Sequence, residues 1–354
     1  VQATVYITAA QDALSWRMEM DVPSTYALVW VEFPAISIPN SLKANGGEGT
    51  LFWPAQEGVV IDDLNFREGN MVCFKEGSYP APGWGGYYPS SCQMQFMSFM
   101  QGENGLYIGC HDTEHYVKFL DFFEKESGAA AVHIRLFTGA VEQHWSMPYE
   151  IVLKSFDGDW HDAAEIYRDW MRSEPAMQHT KLSESEKLPE WVDRGSVAVC
   201  YAVRGEGDDK GDMNLNEFYP YTNLLKTVDR LSDALDSPII PLAMHWEGTA
   251  PWAPPFAWPP AGSEESFRDL IKGLHERGHY FGVYCSGIGW TQQSMIDKSY
   301  TCYEEYKDMN IAQKACLGPR NEMYSIVCNA DEGQRWGYDL CAAADGVDDI
   351  VVNE

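Results

Sequence analysis

The chain has 354 residues, 45% hydrophobic and 22% charged, the composition of an ordinary globular protein of one or two domains. Its formal charge of 25 − 53 = −28 argues against nucleic acid or an anionic membrane surface as partner. No run of about 18 apolar residues occurs, which excludes a transmembrane helix.

From residue 1 to about 153 the pattern is short β-branched or alternating runs between turn clusters: TVYIT, YALVWVEF, GVVI, GLYIGC, AVHIRLF and YEIVLKSF. Regularly spaced short strands of this kind predict an antiparallel sandwich. Residues 159–171 then place Ala163, Ile166, Tyr167 and Trp170 on one helical face, with Asp159 as N-cap. A polar stretch, 173–187, reads as a linker.

After Leu188 the grammar changes. Near-continuous apolar runs at 196–203, 237–246 and 280–287 read as buried strands, and helical patterns follow them at Leu224–Val228–Leu231–Leu235, at 265–276 and at 332–344. A last run, 349–354, reads as a fourth strand. Strands alternating with amphipathic helices imply parallel βαβ units. The fold class predicted is therefore multi-domain β plus α/β. An antiparallel β-sandwich with a closing helix (1–172) precedes, after the linker, the first four or so units of a (β/α)8 TIM barrel (188–354). Four such units span about half of what a whole barrel needs.

Nine scattered cysteines with no C-x-x-C pair read as free, mostly buried thiols, which favours a reducing compartment such as the bacterial cytoplasm. Two metal-protease motifs are refused. His275-Glu-Arg-Gly-His279 spells H-E-x-x-H, but Gly278 ends the helix and would place His279 off it. His111-Asp-Thr-Glu-His115 directly follows a strand and lacks a helix to carry it. No metal and no cofactor are expected, and no nucleotide-binding or serine-hydrolase motif is present.

In a (β/α)8 barrel the active site lies at the C-terminal ends of the strands. Those ends carry Tyr201 and Arg204, then His245, Trp246 and Glu247, then Cys285 and Trp290, and finally Asn353 and Glu354. Trp252 and Trp258 lie in a proline-rich loop, 248–262, that could wall a subsite. Carboxylates, a guanidinium and indoles are the groups that bind and cleave sugars. Glycoside hydrolysis needs two carboxyl groups across the scissile bond. Glu247 and Glu354 are the carboxylates that the pattern places on strand ends, and a second catalytic carboxylate could lie beyond Glu354.

The segments GWGGYYPSSCQMQFMSFMQGENGLYIGCHD (83–112), HWSMPYEIVLKSFDGDWHDAAEIYRDWM (144–171) and LPEWV (188–192) resemble those of a group of bacterial glycoside-hydrolase-like proteins. These carry a galactose-mutarotase-like sandwich before a TIM barrel and are allied to the α-galactosidase and α-glucosidase barrels. The resemblance implies a glycosidase acting on an α-linked glycan or oligosaccharide. It also implies an Asp nucleophile at the end of the fourth strand, where this sequence has Asn353 followed by Glu354. Glu354 is then the nucleophile or base, Glu247 and Arg204 bind hydroxyls, and the indoles stack on sugar rings. The alternative is a non-catalytic carbohydrate-binding or scaffold protein on a degenerate barrel, which Asn353 favours.

Overall fold

The structure is a computed structural model describing residues 1–10, 12–39, 49–55, 58–61, 86–125, 129–189, 195–205, 213–250, 253–285, 287–295, 297–317, 323, 325–328 and 335–352. It divides into two compact units, Val1–His179 and Thr180–Glu354.

In the first unit the β-branched and aromatic runs form strands β1 (Gln2–Ala9), β2 (Ala13–Asp21), β3 (Leu28–Pro39), β4 (Thr50–Trp53), β5 (Val59–Ile61) and β6 (Tyr87–Tyr88). They continue as β7 (Phe96–Gln101), β8 (Asn104–His111), β9 (Lys118–Lys125), β10 (Ala129–Val141), β11 (His144–Ser146) and β12 (Glu150–Asp157). One sheet has the order β1-β2-β12-β8-β7-β4-β5 with β11 also on β2, and the other has the order β3-β10-β9-β6. Leu51, Trp53, Met97 and Ile108 from the first meet Phe33, Leu120, Val132 and Ile134 from the second in one core. Side chains alternate across a strand, so β8 sends Ile108 and Cys110 into that core and Tyr107 to the opposite face.

Helix α1 (Trp160–Ser173) covers that opposite face. It starts at Asp159, whose carboxylate accepts the His161 N–H at 2.8 Å while Asp162 accepts the Asp159 N–H at 2.9 Å, a reciprocal capping box. Ala163 and Tyr167, one turn apart, are buried against Phe52, Phe96, Met100 and Tyr107.

The second unit opens with three parallel strands, β13 (Val197–Ala202), β14 (Ile239–Met244) and β15 (Gly282–Val283), in sheet order β13-β14-β15. Helices α2 (Leu225–Leu235) and α3 (Glu264–His275) connect them. Helix α3 is capped by Ser263, whose hydroxyl accepts the Ser266 N–H at 3.2 Å, and has Glu264 and Glu265 at its positive end. Val228, Phe267, Leu270 and Leu274 close the helices onto Tyr201, Ile239 and Ala243 of the sheet.

Beyond β15 the expected alternation stops. A helix was predicted over 332–344, but Arg335–Asp339 is a strand, β18, flanked by β16 (Gly289–Ser294) and β17 (Ser325–Cys328) in an antiparallel sheet of order β16-β18-β17. The reason is Gly337, where a Cβ would lie 2.0 Å from the Trp290 carbonyl oxygen. Glycine permits that approach in a strand, weakens a helix, and is flanked here by the strand-favouring aromatics Trp336 and Tyr338. The predicted fourth strand, 349–354, is also corrected. Val347–Val352 is a helix, α5, which follows α4 (Tyr303–Asp308). β-branched residues favour strands through cross-strand packing, but Val347 and Ile350 are buried at i and i+3 in a core with Trp290, Cys302, Ile311 and Leu340. Asp348 and Asp349 in the first turn complement the helix dipole. Three parallel strands are therefore described where four were expected.

Among the described residues no helix is long and apolar enough to cross a membrane. The free thiols are also less buried than expected: Cys92, Cys110 and Cys302 are buried, whereas Cys200 and Cys285 are exposed.

Candidate functional site

Three of the sequence-predicted residues converge at the C-terminal ends of β13 and β14. Past β13 the chain is clamped by Asn216, whose amide donates to the carbonyls of Ala202 at 2.8 Å and Gly205 at 3.2 Å. That fixes Arg204, which forms an isolated bridge to Leu215. Past β14, His245 has φ 52° and turns the chain sharply, and its Nδ1 lies 3.4 Å from the Arg204 carbonyl oxygen. Glu247 then bridges to Pro260, and the next N–H, Gly248, donates to the Pro259 carbonyl at 2.7 Å. A Cβ at Gly248 would sit 2.1 Å from that oxygen, so this closure requires glycine. The loop after β14 therefore returns on itself and holds Glu247 at 4% exposure.

The electrostatics tie these ends together. Burial pulls the Arg204 guanidinium below its ordinary range, and Tyr221, Glu247 and Asp297 oppose that pull. Asp297 is held below the usual carboxylate range first by the Ser299 hydroxyl, at 2.6 Å, and N–H, at 3.0 Å, with Arg204 adding to the effect. Burial pushes both the Tyr201 and Tyr221 hydroxyls up, and neither has a hydrogen-bond partner among the described residues. One guanidinium, two carboxylates and two phenols thus share a neighbourhood. Chemically this is a set that can hold hydroxyl groups beside an ionised Asp297.

Asp297 and Tyr221 were missed from the sequence. Asp297 follows an antiparallel strand that the pattern did not predict, and Tyr221 lies in a Tyr-Pro-Tyr turn with nothing to separate it from a packing residue.

Other predicted residues sit elsewhere. Trp290 is fully buried, edge-on to Phe256 at 5.5 Å, and offers no face to a sugar. Trp246 is 7% exposed, stacks on Phe267 at 5.9 Å and donates to the Tyr284 carbonyl at 2.8 Å, so it too is a core residue. Both were expected to stack on sugar rings; in a sequence, core and platform indoles look alike. Trp258 is 42% exposed, with the Arg268 guanidinium 5.6 Å from its ring centre and Phe267 edge-on at 6.1 Å. Cys285 is exposed just beyond β15. Trp252, Asn353 and Glu354 lie outside the described residues. A cavity of about 790 Å³ flanks β13, lined by Val199, Cys200, Tyr201, Asn214, Glu217 and Phe218 among others. Among the described residues, Tyr201 is the predicted one that lines it, so this opening adjoins the Arg204 cluster without coinciding with it.

The two protease-like motifs have no metal-site geometry. Helix α3 ends at His275, Gly278 has φ 77°, and His279 is buried beyond the helix, its Nδ1 accepting the Ile239 N–H at 3.4 Å. His111 stacks on Trp170 at 4.5 Å and is pulled down to about 4 by burial, while His115 bonds Tyr88.

Residues 145–337 match the family model described as Domain of unknown function (DUF6259). A protein of Monosiga brevicollis named "Putative glycoside hydrolase 22789" is 26% identical over 215 residues, covering 56% of this chain and 16% of that protein. Among solved structures, the ligand-free alpha-N-acetylgalactosaminidase NagBb from Bifidobacterium bifidum superposes with a TM-score of 0.65 at 14% identity, over 99% of this chain and 59% of that one. Its GalNAc complex gives 0.62 at 12% identity, over 99% and 58%. At such identities the likeness is one of fold. The chain spans 16% of the length of the curated relative and under two thirds of each solved structure.

Proposed function

The chain belongs to the DUF6259 family, and on that premise we propose that it forms the sandwich and the first part of a TIM-barrel catalytic domain of a glycoside hydrolase acting on an α-linked glycan. The observation that carries this reading is the gathering of Arg204, Glu247 and Asp297 at and beside the C-terminal ends of parallel strands. Active-site residues collect there in barrels of this kind. The glycoside-hydrolase name of the relative and the glycosidase fold of NagBb support it.

In this reading Glu247 is one of the two carboxyl groups and Arg204 and Asp297 fix substrate hydroxyls. Tyr201, which lines the adjoining cavity, turns its unpartnered hydroxyl to the same ligand, and Trp258 offers a stacking face. Glu354 is the candidate for the second carboxyl group. The Arg204 guanidinium supplies a positive charge beside the Glu247 carboxyl group. No metal takes part.

The test is hydrolysis of a panel of aryl α-glycosides by the natural polypeptide that carries this chain. Release of the aryl group is expected, with Glu247→Gln and Glu354→Gln each lowering kcat/KM by about 10²–10⁴-fold. No hydrolysis of any member, or both variants behaving as wild type, would overturn it. A second reading, a non-catalytic carbohydrate-binding protein on a degenerate barrel, is favoured by Asn353 standing where the resemblance implies an Asp. Saccharide binding without turnover would decide for it.

A further inference from the structure

The four-stranded sheet of the first unit has a second face, opposite the one that sends Val132, Ile134 and Leu136 of β10 into the sandwich core. Directly opposed residues of antiparallel strands share a face. The register therefore lays Glu32, Arg135 and Phe119 in one row and His133 beside Asp121 in the next.

These side chains form a built polar cluster. Arg135 Nε donates to Glu32 Oε1 at 3.2 Å, and Nη2 donates to the same oxygen. The guanidinium lies 5.0 Å from the Trp30 ring centre, and His133 Nδ1 is 3.6 Å from Glu32 Oε2. Asp121 is 3% exposed; its Oδ1 accepts the Phe122 N–H at 2.8 Å, while its Oδ2 has no hydrogen-bond partner among the described residues. Together they line a notch of about 10 Å³, room for one water-sized group. His133 and Glu32, 19% and 34% exposed, border it on the solvent side.

The chemistry of the notch narrows what enters it. A buried carboxyl oxygen without a partner is costly, so a hydrogen-bonding partner is wanted there. An anion would meet Asp121 and Glu32; a cation would meet Arg135, whose charge Glu32 already balances. An uncharged group that both donates and accepts fits, and a hydroxyl is the smallest one. On the same face Tyr87 and Phe137 stack at 6.1 Å and 22°, a flat apolar rim beside the polar notch. Polar hydroxyls next to an apolar ring face are the two surfaces of a sugar.

We propose that this face is a second carbohydrate-binding site, in which one hydroxyl of a neutral sugar enters the notch and hydrogen-bonds Asp121 Oδ2 while the ring lies toward Tyr87 and Phe137. It stands on the first unit alone and does not depend on the glycosidase reading.

Titration calorimetry of the 354-residue chain with D-galactose, N-acetyl-D-galactosamine and D-glucose tests it. At least one sugar binds, and Asp121→Asn and His133→Ala each weaken it tenfold or more. Circular dichroism checks that each variant folds, and the partly exposed His133 keeps the test available should Asp121→Asn fail to do so. Absence of binding by all three sugars, equal affinity in a folded variant and wild type, or a sugar-soaked crystal with only water in the notch would overturn the proposal.

Discussion

Two clusters in this molecule use the same ingredients to opposite ends. In the sandwich, Lys118 is completely buried: it donates to Asp112 at 2.6 Å and Gln95 at 2.7 Å, with the Tyr88 and Tyr149 rings 4.7 and 4.6 Å away. Asp112 in turn accepts the N–H groups of Glu114 at 2.9 Å and Tyr116 at 2.7 Å. At the strand ends of the second unit, Arg204 likewise has carboxylates and tyrosines around it, but Asp297 is exposed and two phenol hydroxyls find no partner among the described residues. The first cluster satisfies its charges internally, with the Tyr149 hydroxyl finding no partner among the described residues, and serves the fold. The second is left open, as a site for a ligand would be. Buried charge is thus informative only once its hydrogen bonds are followed to their ends.

The sharpest way to break this contrast is to remove one member from each cluster. Asp112→Ala leaves Lys118 charged and uncompensated, and is expected to cost about 3–5 kcal/mol in a denaturant titration. Asp297→Asn, at an exposed position, is expected to stay within about 0.5 kcal/mol. If Asp297→Asn proved as destabilising as Asp112→Ala, the second cluster would be architectural too.

Next comes pH. Burial holds the Asp121 carboxyl up to about 7, against an ordinary 3.8, so between these values the folded chain keeps a proton that the unfolded chain releases. Stability on this account falls as pH rises through that window. His111, pulled by burial down to about 4 from 6.5, acts oppositely: its contribution is full above 6.5 and is lost as pH falls toward 4. Asp121→Asn removes the first effect, so its stability should climb from pH 4 to 7 more steeply than that of the wild type in denaturant titrations.

Two smaller effects follow. Ser263→Ala, which removes the α3 cap, is expected to cost about 1 kcal/mol. Trp258→Ala should change stability by under about 1 kcal/mol, because much of the ring is already exposed, while weakening saccharide binding severalfold by calorimetry. Loss of affinity without loss of stability is what separates a platform from a core indole such as Trp290.

Much of the fold was legible because its signals are local. The strands of the sandwich, the Asp159-capped helix and the first three apolar runs of the second unit all follow from periodicity and capping within a dozen residues. The two misread segments, Arg335–Asp339 and Val347–Val352, are decided by contacts distant in sequence: Gly337 against Trp290, and Val347 and Ile350 in a core with Trp290, Cys302 and Ile311. The site divides similarly. Arg204 and Glu247 could be picked out because they follow strands, whereas Asp297 is drawn in from a loop whose placement depends on an antiparallel sheet invisible to local pattern. The indoles were over-assigned because apolarity marks a residue for burial before it marks it for stacking.

The left-handed turn at His245 has a consequence for anyone altering this region. A non-glycine residue held at φ 52° carries a conformational penalty of about 1–2 kcal/mol, which His245→Gly would relieve. The same turn ends strand parity, so Trp246 and Glu247, adjacent in sequence, are both buried and in-out counting from β14 fails beyond it. His245 is 1% exposed, however, so glycine there would also leave a cavity that costs more than the strain it relieves, and the hinge beneath Glu247 would be looser as well.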